Sequence, residues 1–118
     1  MEPIKEKYIE YQILGWLNAV GIFAWKVNVK GHYNEKKGIW QKSNNIYDFK
    51  GQPDITGVID GKAIFIEVKR PDEDVRPEQE WFQQRLKEAG AIAIVARSLE
   101  DVTGELAKRG YKFNYQLT

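Results

Sequence analysis

Asp54, Glu67 and Lys69 are the residues whose types and spacing could do chemistry together. They belong to the stretch Asp54-Ile-Thr-Gly-Val-Ile-Asp-Gly-Lys-Ala-Ile-Phe-Ile-Glu-Val-Lys69, two strand-like runs joined by Asp60-Gly61, the dipeptide favoured in two-residue hairpin turns. With those two residues in the turn, Ile59 faces Lys62, and counting outward one residue on each side brings Asp54 opposite Glu67. Directly opposed residues on one side of an antiparallel pair have Cβ atoms about 4.5–5.5 Å apart, so two negative charges there repel unless something positive lies between them. The second run is apolar on both faces until its end, the mark of an interior strand, and a glutamate in such a strand is costly to bury without a partner. Lys69 shares the face of Glu67 and relieves part of the charge; a bound divalent cation would relieve more. Phosphodiester hydrolysis asks for this set. Carboxylates hold one or two metal ions that activate water and stabilise the departing oxygen, and a compact ammonium steadies charge on the phosphate.

The remaining composition narrows the choice of ion. There is no cysteine and a single histidine, His32, which removes disulfides, zinc–thiolate centres, thiol nucleophiles and His-rich cages together. Any metal must be held mainly by oxygen, which points to a hard cation, Mg2+ or Mn2+. With 118 residues, 42% of them hydrophobic and 30% charged, the chain is expected to form one soluble domain over residues 1–118. No stretch is long and apolar enough to span a bilayer, and MEPIKEKYIEYQ lacks the apolar run of a signal peptide, so no membrane partner and a cytoplasmic location are expected. The net charge of +1 says little as a sum. Between Tyr11 and Lys50, however, six lysines (26, 30, 36, 37, 42 and 50) stand against only Glu35 and Asp48.

Several elements must position the central pair. Ile4, Tyr8, Ile9, Ile13, Trp16, Leu17 and Val20 recur at helical steps, which predicts a first helix stopped by Gly21. Phe23 to Val29 alternates and reads as a strand with a wetter face carrying Ala24, Lys26 and Asn28. Residues 31–52 read as a long loop with room for a short hairpin. Past the central hairpin, Glu78 to Ala89 predicts a second helix, with Pro77 at its start and Gly90 past its end. Ala91 to Ala96 reads as a buried strand. Ser98 with Asp101 resembles a capping box for a third helix ending at Gly110, and Tyr111 to Tyr115 reads as an edge strand. The order α-β-β-β-α-β-α-β describes an α/β fold, a sheet with a central antiparallel hairpin flanked by helices.

Gly51-Gln-Pro-Asp54 followed by Glu67-Val-Lys69 resembles the G-x-P-D … E-x-K signature of the PD-(D/E)XK nuclease superfamily. Arg76-Pro-Glu-Gln79-Glu-Trp-Phe is similar to the glutamine-bearing helix start of the VRR-NUC and archaeal Holliday-junction resolvase branches. Gly90-Ala-Ile-Ala-Ile-Val-Ala-Arg-Ser98 is similar to their following strand, and Glu6-Lys-Tyr-Ile-Glu-Tyr-Gln-Ile-Leu-Gly-Trp-Leu17 to their first-helix acidic motif, so nearly the whole chain is covered. The resemblance implies a restriction-endonuclease-like core with a mixed central sheet. It implies that Asp54 and Glu67, helped by the main-chain carbonyl of Val68, ligate the metal. Lys69 would act on the attacking water or the phosphate, Glu6 would complete the acidic site, and Gln79 would approach it from the second helix. Glu10, one turn after Glu6, shares its face and could replace it; Glu6 is favoured. Small stand-alone phage and bacterial members look like homodimeric junction or flap endonucleases, which implies a homodimer acting on branched DNA. The DNA-repair members carry further domains that have no counterpart in these residues.

Each element has an ordinary explanation when taken singly. Pro53-Asp54 opens many turns, Glu67 and Lys69 could be a solvated ion pair, Glu6 and Glu10 the wet side of a helix, and Gln79 a routine first-turn residue. A turn at the one spacing that opposes two acids on an apolar strand is harder to reach by accident. Trp16 and Trp81 are expected in the core. Trp25, Trp40, Tyr33 and Tyr47 accompany the basic segment, where Lys30, Lys36, Lys37, Lys42 and Lys50, with Arg70 beyond it, could meet phosphates while rings stack on bases; a solvated loop is the equal alternative. Three functions therefore compete: a metal-dependent, structure-selective endodeoxyribonuclease, a silent nucleic-acid-binding module of the same fold, and a protein-interaction domain.

Overall fold

The computed structural model describes residues 4–27, 33–34, 39–40 and 46–113. Its elements run α1 (Glu6–Ala19), β1 (Phe23–Lys26), β2 (Tyr33–Asn34), β3 (Ile39–Trp40), β4 (Ile55–Ile59), β5 (Lys62–Val68), α2 (Pro77–Glu88), β6 (Ile92–Ala96) and α3 (Leu99–Lys108). The short hairpin allowed for in the long loop is the β2–β3 pair, antiparallel with Tyr33 opposite Trp40. Of the expected tail strand, residues 111–113 are in no strand, and the rest lies outside the described residues.

The main sheet has the order β1-β4-β5-β6. The β4–β5 hairpin turns on Asp60 and Gly61, both at positive φ (48° and 77°), as a tight primed turn requires. Its register runs from Ile59 opposite Lys62 to Ile55 opposite Ile66, and β6 then lies parallel to β5 with Val68 beside Ala96. The sheet is thus mixed, and β5 is interior.

Alternation along these strands divides the two faces. Ile64, Ile66 and Val68 on β5 join Ile55, Ile59, Ile92, Ile94 and Ala96 in one core with Ile9, Ile13, Trp16 and Leu17 of α1 and Val102 and Leu106 of α3. Phe65, Glu67, Ala93 and Val95 alternate with those residues and so belong to the other face, where α2 packs against β6. Its buried residues are Gln79 and Gln83, one helical turn apart. A helix seated on a sheet through two glutamines is unusual for a core-facing stripe, and it brings amide groups to the face that carries Glu67.

Two expectations need correction. In β1 the small residue turns inward: Ala24 is buried, while Phe23 and Trp25 are exposed and tilt against each other at 5.2 Å. The reason is local. Ala24 pairs with Gly57, where an added Cβ would come within 2.9 Å of the Phe23 carbonyl oxygen, and the Asn18 side chain donates to the Ala24 carbonyl at 3.1 Å, so only small residues fit under α1. Trp81 is not core either; it is 46% exposed. Two residues beyond Gln79, it lies about 200° further round the helix and faces away from the sheet. Trp16, by contrast, is buried as expected and meets Phe113 edge-on at 5.1 Å.

Helix ends follow from particular side chains. Ser98 Oγ accepts from Asp101 N, while Asp101 Oδ2 accepts from Arg97 N rather than closing the box on Ser98. At α2 the Gln79 carboxamide oxygen accepts the Arg76 N–H at 3.0 Å, satisfying one orphan donor of the first turn.

Candidate active site

Where β4, β5, the start of α1 and the start of α2 meet, a pocket of about 950 Å³ is lined by Glu6, Asp54, Glu67, Lys69, Glu73 and Gln79, with Phe49, Lys50 and Arg76 toward its rim. The hairpin supplies the two central acids. The β4–β5 ladder ends at Ile55–Ile66, one step before Asp54 and Glu67. At that step Asp54 leaves the ladder: its carbonyl accepts from Val27 N at 2.7 Å, and its Oδ2 accepts from Val68 N at 2.8 Å. The Asp54 side chain therefore caps the end of β5, which aims Glu67 and Lys69 into the pocket from the neighbouring positions.

Glu67 is 4% exposed. Its Oε1 accepts from Gln79 Nε2 at 2.7 Å, and its Oε2, also buried, has no hydrogen-bond partner. Burial, and then the charge of Asp54, push its carboxyl up to about 8. Asp54 is raised as well, by burial first, against the lowering effect of the Val68 N–H. Lys69, 3% exposed, sets its Nζ 3.7 Å from Glu73 Oε2.

Glu6 comes to the pocket from α1, and burial followed by the charges of Asp54 and Glu73 raises its carboxyl. Glu10 is buried beside the same strands but is engaged by Lys26, whose Nζ is 3.4 Å away. Of the two first-helix acids, then, Glu6 lines the pocket and Glu10 holds the edge strand to α1.

The chain has the fold of a VRR_NUC domain. A solved structure described as "VRR_NUC domain" superposes with a TM-score of 0.61 at 21% identity, over 90% of this chain and 97% of that one. The mixed four-stranded sheet flanked by helices is accordingly a restriction-endonuclease-like fold, in the element order expected. No protein-family model and no curated protein matches the sequence.

Within this VRR_NUC-like fold, the five residues Glu6, Asp54, Glu67, Lys69 and Gln79 converge on one pocket although 73 positions separate the first from the last in sequence number, 79 less 6. The cationic residues divide. Lys50 lines the pocket; Arg70 is outside its lining, in an adjoining recess with Glu6 and Glu73, its Nε 3.7 Å from Glu73 Oε1; Lys30, Lys36 and Lys37, with His32 and Lys42, lie outside the described residues. Glu73 was not singled out by sequence reasoning. The Arg70 N–H donates to its Oε1 at 3.1 Å, and this bond above all holds its carboxyl below the ordinary range. The signal for it was the turn-forming run Arg70-Pro-Asp-Glu73, which folds the acid back toward Lys69.

Among the described residues no three Asp, Glu, His or Cys side chains are already gathered into an ion-binding group. The test of fit is the Glu67 carboxylate. A buried carboxyl oxygen with no hydrogen-bond partner, beside a second buried acid, is a donor set that a hard divalent cation would satisfy. The residues present fit such an ion. No helix among the described residues is long and apolar enough to cross a membrane.

Proposed function

We propose that the chain is a metal-dependent endonuclease that hydrolyses DNA phosphodiester bonds in the cytoplasm, with a preference for branched DNA such as a four-way junction or a flap. The observation that carries this reading is Glu67, a buried carboxylate with one oxygen tied to Gln79 and the other without a partner, in the pocket that holds Asp54 and Lys69. A protein-interaction surface has no use for so costly an arrangement, and a silent module has no use for retaining it.

Asp54 and Glu67, with the main-chain carbonyl of Val68, would hold Mg2+ or Mn2+, and when bound the ion would supply Lewis acidity toward water and the scissile phosphate. The chain's own residues do the rest. Gln79 fixes the Glu67 carboxylate through one oxygen, leaving the other without a hydrogen-bond partner. Lys69, buried and steadied by Glu73, presents an ammonium to the phosphate or the attacking water. Glu6 adds a carboxyl that burial inclines to keep its proton, suiting it to exchange protons with water in the pocket. Lys50 and Arg70 offer charge to flanking phosphates.

A homodimer is part of the proposal. Phe23, Trp25 and Val58 are exposed on the sheet face against which α2 packs at β6 and, through Gln79, at Glu67 of β5. A second copy pairing there would give two-fold symmetry to match a junction. A strict monomer by light scattering would remove that part.

The deciding experiment is cleavage of a labelled panel (four-way junction, flap, duplex, single strand) with Mg2+ or Mn2+, parent against Lys69→Ala. Cutting that needs the ion and disappears in the variant is expected; intact DNA throughout would refute the activity.

A further inference from the structure

One aromatic ring, Phe49, lines the pocket, and a second, Trp81, packs against it from outside the lining. Phe49 and Trp81 are 48% and 46% exposed, yet they pack edge-to-face on each other with centroids 5.3 Å apart. Phe49 lines the same pocket as Asp54, Glu67 and Lys69, and Trp81 stands on the first turns of α2, two residues after Gln79. Lys50 follows Phe49 directly and also lines the pocket.

This placement is built into the backbone. Gly51, at φ +91°, lets the segment carrying Phe49 lie against the start of α2: a Cβ there would collide with the Glu78 carbonyl oxygen and come within 2.9 Å of Gln79 N. The same close approach that seats Gly51-Gln-Pro-Asp54 beside the glutamine thus carries Phe49 to Trp81. Two large rings held against each other in water, beside an acidic pocket and a lysine, lose apolar burial that either could have had in a core.

We propose that Phe49 and Trp81 form a stacking step for an unstacked DNA base adjacent to the phosphate engaged by the pocket, so that the substrate is DNA with a single-stranded nucleotide next to the cut. The proposal rests on the nuclease reading for the position of that phosphate and deepens it by naming what selects the substrate. A base in a duplex has both π faces covered by its neighbours and nothing to offer the step. A base at a branch point has a free face, and every base has one, so the selection is for structure and tolerant of sequence. Lys50 offers the cation for the adjoining phosphate.

The test is binding, read by fluorescence anisotropy in EDTA so that no cleavage intervenes. The probes are a fluorescein-labelled duplex with a single-stranded branch, the matching blunt duplex, and branched probes carrying one abasic nucleotide at successive positions from the branch point. The proteins are the full chain and its Phe49→Leu and Trp81→Leu variants, both at exposed positions, with Tyr8→Leu, an exposed ring outside the pocket, as control. Circular dichroism melts establish that each is folded.

The branched probe is expected to bind the parent more tightly than the blunt duplex. Either the Phe49 or the Trp81 variant should weaken branched binding roughly 5- to 100-fold while leaving the duplex unchanged. One abasic position should reproduce that loss in the parent and add nothing to it in Trp81→Leu. Equal binding of both probes by the parent, an equal loss on both probes in the variants, the same loss in Tyr8→Leu, or an additive effect of the abasic position would each overturn the step. A chain that cuts no DNA but shows the expected pattern loses the nuclease activity and keeps the base-binding step; one that cuts without the pattern loses the step alone.

Discussion

Gln79 and Glu67 are joined by a 2.7 Å hydrogen bond from the glutamine Nε2 to the glutamate Oε1, and the same carboxamide closes the N-terminus of α2 by accepting the Arg76 N–H. One side chain therefore starts a helix and orients a buried acid. Gln79→Ala should cost both contacts, about 1–3 kcal/mol of stability in urea unfolding without metal. Gln79→Glu should cost more, because it replaces the amide donor to Glu67 with another acid where burial already disfavours charge. If both variants unfold at the parent's urea concentration, the bond carries no weight.

Glu67 gives the protein a pH dependence of definite sign. Its carboxyl is pushed from 4.5 up to about 8 in the folded chain, so the native state keeps a proton that the unfolded chain releases. Its contribution to stability is fully present below about pH 4.5 and is lost as pH rises through about 8. Without metal, the melting temperature should fall between pH 5 and pH 8.5, and Glu67→Gln should flatten that slope. A parent whose melting curve is level over this range would contradict the burial argument.

Metal should reverse that trend. An ion held by Asp54 and Glu67 needs both ionised, so Mg2+ or Mn2+ must displace the Glu67 proton and should raise the melting temperature more at pH 8.5 than at pH 6. Asp54→Asn should shrink the shift while raising metal-free stability, because it removes repulsion from Glu67. A variant that responds to metal as the parent does would place the ion elsewhere.

Lys69→Ala should fold and still bind DNA but lose cleavage by about 10²-fold or more, the loss expected when a group that stabilises transition-state charge is removed. Glu73→Gln should lower cleavage by less, since it only steadies the ammonium 3.7 Å away. Equal losses in the two variants would mean that Glu73 does more than position Lys69.

Gly51→Ala should be among the most damaging single changes outside the core, at about 1–3 kcal/mol or more, since it combines a positive φ with a backbone collision against α2. Gly61→Ala, also at positive φ but in open space, should cost less. Thermal melts of the two rank them directly.

The sequence by itself determined the hairpin and what stands on it. Asp60-Gly61 sets a turn whose period-two register leaves no freedom, so Asp54 and Glu67 had to come to the same end of neighbouring strands, and Lys69 to the face of Glu67. Apolar periodicity located α1, and the start and stop residues Pro77, Gly90, Ser98 and Gly110 located α2 and α3, to within two residues, because backbone groups at helix ends need particular partners and conformations.

Tertiary structure alone decided the rest. Periodicity says which residues share a face but not which face meets the sheet: α2 turns its glutamines inward and Trp81 outward, and β1 hides Ala24 under α1 while Phe23 and Trp25 stay in water. That Glu6 lines the pocket while Glu10 pairs with Lys26 depends on where α1 enters the sheet. Phe49 met Trp81 only because Gly51 allowed two backbones to touch. Such contacts depend on how whole elements dock, a balance of many small packing energies spread over residues distant in the chain, and no local pattern encodes it.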